Sequence, residues 1–174
     1  MLFRSQQRLE SLGFSFHTID GQPYWREDVH YAFEADEVDE IEAATNELHA
    51  LCLEAVDRVV RTGRYADLGL GDRAATLIER SWWDREPALY GRMDLSYDGH
   101  SPPRLLEYNA DTPTALFEAS VAQWYWLEDV ASDADQFNSI HEALVERWGT
   151  LPKASQVHFA ACYDSPEEIG RAHV

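Results

Sequence analysis

Basic residues are scarce in this chain: 14 Lys and Arg stand against 32 Asp and Glu in 174 residues, a formal net charge of −18. Such a surface repels a polyanion, so nucleic acid is excluded as a partner. The same charge suits cations such as Mg²⁺ or a polyamine, but acidic surfaces also serve solubility, and charge alone selects no ligand. Cysteine is nearly absent. Cys52 and Cys162 stand apart without CxxC spacing, which reads as reduced thiols in the cytoplasm. No uninterrupted apolar run approaches the roughly 20 residues that span a bilayer. The start, Met1 to Gln7, lacks the apolar core of a secretory signal, so a soluble, cytoplasmic chain is expected. Internal repeats, low-complexity linkers and composition shifts are missing too, and nothing divides the chain into separate domains.

What is present describes a folded enzyme-like piece. A content of 45% hydrophobic and 12% aromatic residues argues against disorder, and the length suffices for one domain-sized core. Phe3 to Leu12 predicts a short helix stopped by Gly13, and Phe14 to Ile19 alternates as a strand before an Asp20-Gly21 turn. An irregular aromatic stretch follows. The clearest helix runs from Asp36 to Thr62, with Val38, Ile41, Thr45, Leu48, Cys52, Ala55 and Val59 on one stripe and Gly63 ending it. Its acidic start and its late Arg58 and Arg61 both complement the helix dipole, so the charge run there is a solvated helix terminus. Further helices are expected over Asp72–Trp83, Thr114–Trp126 and Phe137–Trp148, and a strand over Gln156–Ala161. Helices alternating with strands give an α/β fold, a mixed sheet with a long amphipathic helix.

The chemistry concentrates in two segments, Tyr90-Gly91-Arg92-Met93-Asp94 and Leu106-Glu107-Tyr108-Asn109-Ala110-Asp111. Alternation along a strand puts Arg92 and Asp94 on one face, and Glu107, Asn109 and, if the strand persists, Asp111 on one face of the next. The intervening Tyr97-Asp98-Gly99-His100-Ser101-Pro102-Pro103 is dense in turn formers and predicts a hairpin. If Tyr97 pairs near Arg104, the register sets Asp94 opposite Glu107 and Arg92 opposite Asn109. Like charges across a ladder repel, and a bound cation removes that cost. Carboxylate and amide oxygens without cysteine or a spaced histidine pair suit Mg²⁺ or Mn²⁺ better than zinc. Arg92 can clamp a phosphate or carboxylate beside such an ion. The competing reading is an exposed polar hairpin face. The histidines are scattered, and none is assigned to catalysis.

Those residues carry a resemblance. Tyr90 to Asp94, Leu105 to Thr114, Leu116-Phe117-Glu118 and Gln123-Trp124-Tyr125-Trp126-Leu127-Glu128-Asp129 resemble, in the same order, strings of the glutathionylspermidine synthase family of ATP-grasp ligases. The likeness covers the N-terminal, pre-ATP-grasp portion and is nearest to relatives without an attached amidase. It implies an ATP- and Mg²⁺-dependent ligase that joins a peptide carboxylate such as that of glutathione to an amine such as spermidine through an acyl-phosphate. It also implies Asp94, Glu107 and Asn109 as magnesium ligands, and Arg92 as the catalytic residue that meets the phosphates of ATP. Thr112-Pro113-Thr114 stands where well-known synthetases have Ser-Ala-Ser, so Thr112 and Thr114 are implied substrate contacts. The stiffer backbone at Pro113 leaves the peptide and amine open, and a different substrate pair is the alternative within the enzymes.

ATP-grasp enzymes hold the nucleotide between two later, lysine-bearing lobes, and the one lysine here is Lys153. The resemblance therefore implies missing C-terminal lobes, and a fragment inactive by itself. The final Glu168-Ile169-Gly170-Arg171-Ala172-His173-Val174 back-translates as GAG ATC GGA AGA GCA CAC GTC, which reproduces a widely used short-read sequencing adapter. Residues 1–167 are thus expected to be a partial pre-ATP-grasp domain, and 168–174 a non-native tail. From another class, a non-catalytic acidic binding module remains an alternative.

Overall fold

The structure is a computed structural model and describes residues 5–110 and 114–151. The expected strand over Gln156–Ala161, the tail from Glu168, and Asp111, Thr112, Lys153 and Cys162 lie outside the described residues. Contacts group the chain into two units, Met1–Ala32 with Thr112–Val174, and Phe33–Asp111.

In the first unit, α1 (Ser5–Ser11) is stopped by Gly13, whose φ of 92° is open to glycine. The expected strand from Phe14 shrinks to β1 (Thr18–Ile19), paired with β2 (Gln22–Pro23). Its turn, Asp20-Gly21, has φ of +50° and +75°, the double positive of a tight hairpin. Phe14 and Phe16 mimic strand alternation for another reason: both rings turn into one core from a loop. They meet edge to face at 4.4 Å, beside Leu9, Phe117 and Ala122. Phe14 N–H donates to the Leu9 carbonyl at 2.8 Å, replacing a strand bond with a helix-end bond.

The helix expected over Thr114–Trp126 begins two residues later and runs over 116–130. Ala115, at φ 64°, keeps Thr114 out of it. After residues 116–117 comes a π turn, Glu118–Ala122, followed by α4 (Gln123–Val130). The wider turn brings Phe117 and Ala122, five residues apart, into the same core, a spacing a regular helix would splay. Tyr24 Oη donates to Glu118 Oε1 at 2.8 Å, which ties the π turn to the segment after β2. α5 spans Ile140–Thr150 instead of Phe137–Trp148. Phe137 sits at φ 41°, and Asn138 Oδ1 accepts the Ile140 N–H at 3.4 Å, so the helix cannot start earlier.

The second unit is built on α2 (Ala35–Thr62), which carries a capping box between Glu34 and Glu37 and ends at Gly63 with φ 64°. Of the expected stripe, Val38, Ile41, Thr45, Leu48, Cys52 and Val59 are half-buried and Ala55 is exposed; full burial falls on Val60. A 3₁₀ turn, Arg64–Leu68, sends the chain into α3 (Asp72–Trp83), which has the expected bounds. Trp82 Nε1 donates to Asp57 Oδ1 at 3.1 Å and Arg61 stacks 5.2 Å over Trp83, so one turn of α2 holds the end of α3. The hydrogen bond from Arg61 holds the Asp57 carboxyl below its usual range, with Trp82 adding to it. Among the described residues, no helix is long and apolar enough to cross a membrane. The α/β class with a long helix is as expected. The strands described form two antiparallel pairs.

Candidate functional site

The second unit closes with a hairpin of β3 (Gly91–Ser96) and β4 (Arg104–Ala110), the connection expected from the turn formers between them. Asp98 makes that turn. Its carboxylate accepts the N–H of Ser101 at 2.7 Å and of His100 at 3.0 Å, and these bonds hold its pKa below the ordinary value. Gly99 supplies a φ of 79°.

The register corrects one expectation and reaches the expected face by another route. Ser96, not Tyr97, pairs with Arg104, and Leu95 pairs with Leu105. Leu106 is then bulged out, 70% exposed, and the ladder resumes with Asp94 opposite Glu107 and Arg92 opposite Asn109. The extra residue cancels the shift in the loop. Without it, Leu106 would face Asp94.

Directly paired residues share a face, so Arg92, Asp94, Glu107 and Asn109 form one polar surface. Arg92 forks onto Asp94, with Nε donating to Oδ1 at 2.9 Å and a terminal nitrogen to Oδ2 at 3.4 Å. One of the two facing carboxylates is thereby offset. Glu107 makes no ion pair or hydrogen bond among the described residues, so the surface keeps one negative charge in excess. The Nδ2 atom of Asn109 is buried and has no hydrogen-bond partner. A half-turn of the carboxamide presents Oδ1 there instead, so the position can meet a cation or an anionic oxygen. Among the described residues no three His, Cys, Asp or Glu side chains group as a metal site; this surface has two carboxylates and an amide.

Thr114, which belongs to the first unit, is exposed and precedes Ala115, so it lies one residue outside the helix start. Thr112 lies outside the described residues. Sequence reasoning missed the back of the hairpin. Tyr108, between Glu107 and Asn109, reaches His49 of α2, its hydroxyl 2.9 Å from Nδ1. Tyr97 Oη donates to Glu40 Oε2 at 3.1 Å. The signal available was the alternation itself: a tyrosine flanked by two polar residues must face the other way.

Known proteins are similar to this chain in sequence. A putative acid–amine ligase of Haemophilus influenzae is 41% identical over 170 residues, covering 93% of this chain and 43% of that protein. Trypanothione synthetase of Crithidia fasciculata is 24% identical over 128 residues, covering 70% of this chain and 20% of that protein. The chain spans less than half the length of either relative. The glutathionylspermidine synthase preATP-grasp model matches residues 3–174. The chain belongs to the glutathionylspermidine synthase family, as its pre-ATP-grasp domain.

Proposed function

We propose that this chain is the N-terminal part of an ATP- and Mg²⁺-dependent ligase that forms an amide between a peptide carboxylate, such as that of glutathione, and an amine, such as spermidine. The observation that carries the reading is the β3–β4 register, which gathers a guanidinium, two carboxylates and an orphaned amide on one face. The names of the two relatives, an acid–amine ligase and a trypanothione synthetase, support the same class.

The donor set fits a hard divalent cation, with Asp94 and Glu107 as anionic oxygens and Asn109 as the neutral one. When bound, Mg²⁺ neutralises phosphate charge and orients the phosphates for in-line transfer. The carboxylate oxygen of the peptide attacks the γ-phosphorus and ADP departs. The amine nitrogen then attacks the acyl carbon, the carbon–oxygen bond to phosphate breaks, and the nitrogen loses a proton. Arg92 contributes fixed positive charge beside the transferring group, and its fork onto Asp94 holds it there without reorganisation. Thr112 and Thr114 are the proposed contacts of the peptide end. Residues beyond the length of this chain would supply the remainder of the nucleotide clamp.

The test is ATP turnover by the full-length protein with glutathione and spermidine. Asp94→Ala and Glu107→Ala should each lower magnesium-dependent turnover by 100-fold or more, on the order expected for removal of a ligand that acts on transition-state charge. Normal turnover in either variant would refute the site. The Thr-Pro-Thr string favours a second reading, a different peptide or amine, which product analysis would reveal.

A further inference from the structure

The face that carries the polar residues cannot be rigid unless its back is held. Among the described residues β4 belongs to a two-stranded sheet, and such hairpins are marginal alone. Its back carries Tyr108, whose ring lies over Gly91: a Cβ at Gly91 would sit 2.8 Å from Tyr108 Cε2 and 3.1 Å from its hydroxyl. The tyrosine is thus seated on the neighbouring strand through the gap that glycine leaves. Its hydroxyl then reaches His49, the two rings edge to face with centroids 5.9 Å apart.

A second tie acts at the loop end, where Tyr97 Oη donates to Glu40. Glu40 and His49 are nine residues apart on α2, about 13.5 Å along its axis. Two tyrosine hydroxyls therefore tie the hairpin to one helix at two points. The one at His49 falls between Glu107 and Asn109, on the far side of the strand from both, just past the bulge at Leu106. A bulge is where a strand can most readily re-aim its side chains, so this anchor sits where the aim is decided.

We propose that His49 is a positioning residue for the hairpin site, fixing the aim of Glu107 and Asn109 through Tyr108. The inference deepens the metal-binding reading of that face and rests on it. His49 touches neither substrate nor ion; it acts by immobilising the residue between two ligands.

The full-length protein carries the test, with Mn²⁺ alone as the probe and no nucleotide present, its electron paramagnetic resonance signal reporting free ion, and with amide hydrogen exchange followed in the metal-free protein. His49→Ala and Tyr108→Phe should each speed exchange at Glu107 to Asn109 and weaken Mn²⁺ binding by about fivefold, the worth of one net hydrogen bond. The double variant should be no worse than either single one, because both remove the same contact. His49→Asn, whose amide overlies Nδ1, should restore both readouts, while amides of α3 stay unchanged throughout. If His49→Ala exchanges and binds like the wild type while Asp94→Ala loses Mn²⁺, the metal site stands and the positioning role is overturned. If Asp94→Ala binds Mn²⁺ as well as the wild type, the metal reading falls and the positioning role falls with it.

Discussion

Asp94 stands opposite Glu107 across the β3–β4 ladder because Leu106 is bulged out between the two halves of the hairpin. Two carboxylates are thereby held face to face, with the fork from Arg92 taken up by one of them. A ladder assembled for stability alone avoids that pairing.

Relief of that repulsion should be measurable. In the metal-free chain, Glu107→Gln is expected to raise unfolding free energy by about 0.2–1 kcal/mol in urea melts, the size of a cross-strand pair. Millimolar Mg²⁺ should stabilise the wild type through linkage and leave the variant unchanged. A variant that is less stable without metal would argue that the pair is not repulsive.

Gly91→Ala should cost about 1–3 kcal/mol, since the added methyl meets a ring held on both sides. The same substitution in a Tyr108→Ala background should cost far less, because the collision is then gone. Chemical denaturation of the four proteins checks both statements.

Alkaline stability should depend on Tyr97. Burial first, then the hydrogen bond to Glu40 and the charges of Glu40, Glu37 and Asp36, push its pKa up to about 12 from 10.0. A group raised on folding stabilises fully below its unfolded value and loses that contribution as pH rises through the folded one. The tie of hairpin to α2 should therefore hold to about pH 10 and fail between 10 and 12. Tyr97→Phe should flatten the decline seen in melts across that window.

The acid side belongs to Asp98. Its pKa is lowered, chiefly by the Ser101 N–H and next by that of His100, so its contribution is present above the ordinary value of 3.8 and lost as pH falls through the folded value. Asp98→Asn should remove that acid-sensitive step while keeping the turn. Amide exchange at His100 and Ser101, compared at pH 5 and pH 2.5, reads it directly.

Much of the site was legible because a hairpin needs little information. Alternation set Arg92 with Asp94 and Glu107 with Asn109, and the Asp-Gly and Pro-Pro sequence set the reversal. The bulge was not legible, since Leu105-Leu106 reads the same whether both residues pair or one is extruded; the expected register came out right because the bulge cancels a one-residue shift at the loop. Helix bounds were readable where glycine marks them, as at Gly63. They were missed where a side chain or an αL residue competes, as at Asn138 and Ala115. Phe14 and Phe16 misled for a simple reason: two rings buried two residues apart look like a strand even when a loop buries them. The contact of His49 joins residues 59 apart in sequence, beyond the reach of any local pattern.

The proposed ligation passes through an activated carboxylate. The most direct measurement follows ¹⁸O from the glycine carboxylate of labelled glutathione during turnover of the full-length protein with ATP, Mg²⁺ and spermidine. Transfer of one labelled oxygen into inorganic phosphate, matched mole for mole by amide product, is the predicted result. Unlabelled phosphate, released with or without product, would contradict it.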